Sequence, residues 1–358
     1  MNKKEFNIIM SSWRDFFASR GVEQDFANLY LDYIEILIKQ NLPPIFDFHH
    51  LCKLLGLQYD FLASIINAPE KFYRNFEIPK RSGGVREITA PYPSLKFIQR
   101  WIYENILSKV KIHGCAHGFV NKRSILTNAK VHQNKKCLLK IDLKDFFPSI
   151  PKKWVIQLFK SLGYEHQVSF YLAALCCYED VLPQGSPASP VISNIIAKHL
   201  DRRLYRIAKK FNLSYSRYAD DIAFSGDEIN TKFIEYISVI IADCGFNINP
   251  QKIRLYKTRG SKILTGISLA TGEPRLPRNY RRELEKELFF IDKYGLNGHM
   301  SHNKIRNPYY LESMLGKLGY WLMIEPENAF AIKMQRKLHA EYNRKYNNSD
   351  LDIQLEKF

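Results

Sequence analysis

Apolar residues recur at three- and four-residue spacing through most of the first 75 positions. Between Asp25 and Gln40 they fall at Phe26, Leu29, Tyr30, Tyr33, Ile34, Leu37 and Ile38, the period of a helix that buries one face. Pro43 and Pro44 close that segment. Asp47 is a fitting N-cap for a helix over FHHLCKLL, Gly56 supplies its stop, and YDFLASIIN makes a second short helix before Pro69. Two short helices around a glycine have the outline of a DNA-binding helix-turn-helix. The second is too apolar to offer base-reading side chains, so the pair is read as a packing unit.

The period then changes. FEIPKRSGGVREITAP reads as two β-prone segments around Gly83-Gly84, a hairpin whose shoulders carry Lys80 and Arg86. A helix is predicted from Ser94 to about Val110, with Leu95, Ile98, Trp101, Ile102 and Ile106 on one face. CLLKIDL is a buried strand ending in an aspartate. Helices are predicted near 151–162 and 165–178, and one long helix from about Ala188 to Phe211 follows a Pro/Gly-rich loop. YSRYADDIAFSG reads as strand, tight turn and strand; a helix near 229–243 and strands near 252–257 and 262–269 complete the block. From Leu276 the pattern becomes three amphipathic helices, about 278–293, 309–323 and 326–346. The expected division is a helical region over 1–75, a mixed block over 76–275 and a helical unit over 276–358, without internal repeats.

Composition narrows the class. The chain has 358 residues, 46% hydrophobic and 25% charged, the balance of a soluble globular protein. No run approaches the length of a membrane span, and Arg14 and Asp15 break the apolar stretch near the N-terminus, so no secretory signal is read and a cytoplasmic location is expected. The net charge is +17. Between Lys80 and Lys140 there are 13 Lys/Arg against only Glu87 and Glu104, so +11 of that charge lies in one stretch. A solvated face is the plain reading of a charge run. This one is interleaved with core-forming residues and is read as a phosphate-binding surface, with Lys122 and Arg123 as candidate contacts. None of the six cysteines forms C-x-x-C, so no zinc site is expected.

Three acids carry the chemistry. Asp142 ends a run of strand formers, and Asp220 and Asp221 sit side by side between two β-prone segments. Like charges in a tight turn repel unless a cation neutralises them, and magnesium takes carboxylates together with substrate phosphates. If Asp142 and Asp220 project from neighbouring strands they make a two-metal site. Spacing alone leaves open whether the strands adjoin.

The surrounding motifs resemble those of reverse transcriptases: IPKRSGGVREITAP, IDLKDFFPSI, LPQGSPASPVISN and YADD occur in that family's order over residues 76 to 270. Asn128, Ala129 and His132 resemble the N-A-x-x-H signature of retron enzymes. Leu264, Thr265 and Gly266 resemble their V-T-G signature, departing by Leu for Val. The resemblance implies an α+β right-hand polymerase, with fingers and palm, a C-terminal helical thumb and a preceding helical region. It implies an RNA-directed DNA polymerase that copies part of a cognate noncoding RNA into RNA-linked DNA (msDNA), primed from a guanosine 2′-hydroxyl. The implied setting is bacterial antiphage defence with a separate effector protein, and no membrane. Another defence-associated bacterial reverse transcriptase, or a silent RNA-binding scaffold of the same fold, remain the alternatives.

Roles follow from the resemblance residue by residue. Asp142, Asp220 and Asp221 are the catalytic carboxylates and ligands of two Mg2+ ions. Lys80 and Arg86 pair with the dNTP triphosphate. Phe147, five residues after Asp142, is the steric gate against a 2′-hydroxyl, with Phe146 in the core. Gln184 and Gly185 support nucleotide and template. Lys252 is either a contact near the phosphates or a surface lysine. Asn128 and His132 lie four apart and share a helical face, for a structural or RNA-positioning role. Arg278, Arg281, Arg282 and Lys286 recur along the first thumb helix as an RNA-binding face, or else alternate with Glu283, Glu285 and Glu287 in a solvated salt-bridge face.

Overall fold

A computed structural model describes residues 2–80, 83–257 and 262–355, with side chains as far as 344. Four helices open the chain: α1 (Lys3–Ser19), α2 (Gln24–Lys39), α3 (Phe48–Leu55) and α4 (Tyr59–Asn67). Asn2 caps α1 through a capping box, and Asp47 accepts from the His50 N–H to start α3. Gly56 ends α3 at φ 67°, where an L side chain would be strained. Phe48, Leu51, Cys52, Leu55, Leu62 and Ile65 point into the main core, so α3 and α4 pack rather than read DNA.

The hairpin β1 (Tyr73–Pro79) and β2 (Val85–Pro91) is antiparallel, with only Tyr73 and Pro91 buried at its root. Then come α5 (Pro93–Asn105), α6 (Ile125–Lys130), β3 (Cys137–Asp142), α7 (Lys152–Ser161), α8 (His166–Cys176), α9 (Ser189–Ile196) and α10 (Lys198–Lys210). The expected single helix over 188–211 is two helices. Ala197, with φ −68° and ψ −4°, separates them as the C-cap of one and the N-cap of the next.

β4 (Ser214–Tyr218), β5 (Asp221–Gly226), α11 (Thr231–Asp243) and β6 (Arg254–Tyr256) complete a four-stranded antiparallel sheet of order β4-β5-β3-β6. The register sorts its residues by face. Leu139, Ile141, Tyr215, Ile222 and Phe224 enter the main core with α2–α5 and α7–α11. Leu138 and Ala223 enter a second core with the C-terminal helices. Burial on both sides explains why β3 reads as a continuous apolar run.

The segment expected as one strand over 262–269 is the small hairpin β7 (Ile263–Leu264) and β8 (Ile267–Ser268). Thr265 (φ 45°) and Gly266 (φ 85°) form its two-residue turn. The helical unit is α12 (Arg278–His302), α13 (Tyr310–Ile324) and α14 (Ala329–Leu355), with α12 kinked at Gly295. Its core is Leu284, Leu288, Ile291, Met314, Leu318, Trp321, Met334 and Leu338. Among the described residues no helix is long and apolar enough to cross a membrane.

Candidate active site

β3 pairs with β5 so that Asp142 lies directly opposite Asp221, and both belong to the sheet face turned toward the C-terminal helices. Asp220 lies in the turn between β4 and β5. The strands whose adjacency the spacing left open do adjoin, and the cross-strand partner of Asp142 is Asp221. Two backbone bonds hold the acids' main chain: the Leu143 N–H donates to the Asp220 carbonyl (3.0 Å), and the Asn249 N–H to the Asp142 carbonyl (2.8 Å).

The three carboxylates share a poorly hydrated place. Burial first, then the charges of Asp221 and Asp142, push the Asp220 carboxyl up to about 6. Burial also raises Asp221. One cation stands against them: the Lys252 ammonium lies 2.8 and 2.9 Å from the two Asp142 carboxylate oxygens. That hydrogen bond raises the Lys252 pKa. Lys252 is therefore part of the acid cluster and not a stray surface lysine. Desolvated carboxylate oxygens are the donors a hard divalent ion takes, and the ammonium shows that the place already binds a cation. Among the described residues no three His, Cys, Asp or Glu side chains form a ready ligand cluster. The donor chemistry fits magnesium.

The turn that displays Asp220 is fixed from the opposite face. Arg217, on β4, is fully buried. Its Nε and Nη2 donate to the two Asp201 carboxylate oxygens (2.8 and 2.7 Å), and its Nη1 donates to Asn194 Oδ1 (3.0 Å) and to the Ala219 carbonyl (3.1 Å). The Tyr215 hydroxyl donates to Asp201 as well (2.7 Å). Ala219 sits at φ 57°, an unfavourable conformation for alanine, and the arginine bond helps hold it. A Cβ on Gly118 would lie 2.6 Å from the Ala219 nitrogen, so that neighbour must be glycine. Sequence reading missed Arg217, Asp201 and Asn194. The available signal was a charged residue inside a strand whose other core-face positions are apolar.

The expected nucleotide residues spread over two elements. Lys80 and Arg86 are exposed near the tip of the β1–β2 hairpin, where the Lys80 N–H donates to the Gly84 carbonyl. The hairpin joins the body through Gln184, whose carbonyl accepts from the Thr89 N–H (2.9 Å). Gly185 has φ 144°, and a Cβ there would meet the Thr89 oxygen at 2.6 Å. Phe146 is buried, while Phe147 is half-buried between Phe119 and Phe146, with ring centroids 6.2 and 5.5 Å away.

Asn128 and His132 require correction as RNA contacts, because both are buried. The Ser216 hydroxyl donates to Asn128 Oδ1 (2.6 Å). With its proton so committed, Ser216 accepts from His132 Nε2–H (2.7 Å), and Nδ1 accepts from the Ser225 hydroxyl (2.7 Å). Asn128 also donates to Thr265 Oγ1 (3.4 Å). The two signatures are thus one network: α6 and the β7–β8 turn are tied to the sheet face that bears the acids. Arg123 is corrected in part, since its guanidinium is half-buried and donates to the Gly114 and Ala116 carbonyls. Lys122 is exposed. On α12, Arg281 pairs with Glu285 (3.3 Å) and Glu287 with Lys317 (2.9 Å). Arg278, Arg282 and Lys286 lie one turn apart, exposed, and outside any ion pair among the described residues.

The family described as reverse transcriptase (RNA-dependent DNA polymerase) matches residues 78–269. Over 267 residues the chain is 34% identical to the retron Mx65 reverse transcriptase of Myxococcus xanthus, covering 66% of this chain and 62% of that protein. It is 33% identical to the retron Ec86 reverse transcriptase of Escherichia coli (70% and 79% covered) and 30% identical to the retron Ec73 reverse transcriptase of the same organism (78% and 91%). The chain spans about three fifths of the length of the two Myxococcus relatives it matches, 62% and 60%.

The buried network predicts a pH dependence. Burial holds the His132 pKa down to about 3 and that of His117 to about 4, against an ordinary 6.5. The unfolded chain therefore binds protons that the folded chain refuses, and stability falls as pH drops below about 6.5. Each refused proton contributes about 1.4 kcal/mol per pH unit. Chemical denaturation between pH 4 and 8 should show this fall. His132→Gln should lower stability at pH 8 yet give a shallower acid limb; an unchanged limb would show that His132 is not held neutral.

Proposed function

Since the chain belongs to the reverse transcriptase family, and within it to the retron enzymes, we propose that it is an RNA-directed DNA polymerase. Its template is part of a cognate structured noncoding RNA, and its product is RNA-linked single-stranded DNA started from a guanosine 2′-hydroxyl. The setting is antiphage defence together with a separate effector protein. The observation that supports the polymerase reading best is the β3–β5 register, which sets Asp142 against Asp221 with Asp220 in the adjoining turn. A silent scaffold would gain nothing from desolvating three carboxylates.

Magnesium ions held by Asp142, Asp220 and Asp221 would activate the attacking hydroxyl and neutralise charge on the leaving pyrophosphate. The chain's own groups do the rest. Lys80 and Arg86 close over the triphosphate with charge-assisted bonds. Phe147 presents a ring edge to C2′ and leaves no room for a hydroxyl. Lys252, whose ammonium is hydrogen-bonded to Asp142, is the group we assign to protonate the leaving group.

The direct test of the retron reading is the nucleic acid that copurifies with the protein from its own host. A branched RNA–DNA molecule with a 2′-linked guanosine is expected; unbranched cellular RNA alone would reject it. In primer extension, Asp142→Asn and Asp220→Asn should each lower the rate at least 1,000-fold. Without magnesium, Asp220→Asn should melt no lower than the parent at neutral pH, because it removes a charge the fold disfavours. Extension near the parent rate by either variant would overturn the catalytic assignment. Phe147→Ala should narrow the preference for dNTPs over rNTPs at least 10-fold in single-nucleotide addition, and an unchanged ratio would place the gate elsewhere.

A further inference from the structure

A cleft of about 850 Å³ opens away from the acids. Its walls are the end of α2, the turn that follows α5, one side of α7, and the α9–α10 junction. These elements pack in the main core, whereas Asp142 and Asp221 lie on the other face of the sheet. None of Asp142, Asp220, Asp221, Lys80, Arg86 or Phe147 lines it.

The charge of this lining is one-sided. Lys39, Lys109, Lys111, Lys198, His199 and Arg202 contribute to it, and no Asp or Glu does. The whole chain, by contrast, has 36 acids to 53 Lys/Arg. Lys39 is paired with Glu35 one turn back on α2. Lys109, Lys111, Lys198 and Arg202 take part in no ion pair among the described residues. Lys198 and Arg202 are one turn apart on α10 and so share a face. Four such cations around one concavity repel each other, and a polyanion removes that repulsion while releasing its own counterions. Between the cations stands the neutral amide of Gln157, of a kind that meets 2′-hydroxyls and phosphate oxygens. Gln40 donates to the Ile36 and Leu162 carbonyls and Ser161 to that of Leu158, which leaves these two only as acceptors.

We propose that this cleft is a second RNA-binding site, gripping the sugar–phosphate backbone of a duplex stem outside the primer–template path. It rests on the reading that the chain carries its own structured RNA, and it adds where a part of that RNA is held while another part is copied. An acidic protein segment is the competing occupant. It would want an exposed apolar anchor at the centre. Leu42, Leu158, Leu162 and Ile195 in this lining are buried, and Val110, Trp154 and Ile196 are half-buried and packed against the main core.

The test uses the full chain with two charge-reversed variants, Lys109→Glu with Lys111→Glu and Lys198→Glu with Arg202→Glu. Glutamine versions at the same positions guard against misfolding, and thermal melting is checked for all. The probes are a labelled 20-base-pair RNA duplex and a polyglutamate peptide, titrated over a salt series. Extension of oligo(dT) on poly(rA) is measured alongside. Each reversed pair should weaken duplex binding at least 10-fold at 0.1 M salt and make the salt dependence shallower by about two in the log–log slope. Extension at saturating primer–template should keep more than half its rate. Duplex binding unchanged in all variants would overturn the proposal. So would extension lost in step with binding, which would place the cleft on the primer–template path, or polyglutamate binding the cleft more tightly than the duplex. If the parent binds the duplex through the cleft but extends no primer, the polymerase reading fails and the cleft stands.

Discussion

Arg217 carries a full charge to a place that water does not reach, on the far side of the sheet from the acids. Taking that charge and the Asp201 charge out of water is costly. The cost is offset only because nearly every lone pair and proton is spoken for: two bonds to the carboxylate, one to Asn194, one to the Ala219 carbonyl, and the Tyr215 hydroxyl on Asp201. Such a pair adds little net stability. It selects one arrangement of the β4–β5 turn. Three carboxylates that repel one another would otherwise relax apart, and the turn they occupy holds an alanine in a conformation it does not favour. The guanidinium on one face is what lets charge accumulate on the other.

The second face is closed by a different kind of contact. His132, Asn128, Ser216 and Ser225 form a connected neutral network, and Thr265 extends it to the β7–β8 turn. Buried polar groups of this sort specify register. A one-residue slip of β4 or β5 would turn both serines to the wrong face and leave the imidazole unsatisfied. The C-terminal helices then pack against Leu138 and Ala223 on that face, so the helical unit takes its position from the strands that carry Asp142 and Asp221.

Much of this was legible in the chain. Two acids between β-prone segments pointed to a turn, which Asp220 occupies while Asp221 opens β5, and a third at the end of an apolar run marked a strand end. Asn128 and His132 stood out by type and spacing, but a sequence shows two polar residues on one helical face without showing what covers that face. Of the structural and RNA-positioning roles open to them, burial supports the structural one. Arg217 was passed over because an arginine beside a tyrosine in a strand looks like any surface pair; its partner Asp201 is 16 positions away, on a helix whose start was drawn through Ala197. Lys252 was ambiguous for the same reason, since its partner Asp142 lies 110 residues earlier. Local period is written locally, whereas pairing across the fold appears only when the elements are assembled.

The attachment of the β1–β2 hairpin gives it a mechanical character. Its backbone is joined to the palm at Thr89, where Gln184 accepts a bond and Gly185 leaves no clearance for a side chain. The arm beyond is exposed on nearly every position. It is a lever with a fixed pivot, and its available motion is angular. With a strand rise of about 3.3 Å per residue, a swing of roughly 15° at Thr89 carries the tip about 4 Å. In the proposed reading, two cations near the end of such an arm answer to the distance of the phosphate chain from the pivot, which is the same for every base. An arm of that kind would gauge whether a triphosphate is present and leave the choice of base to the template.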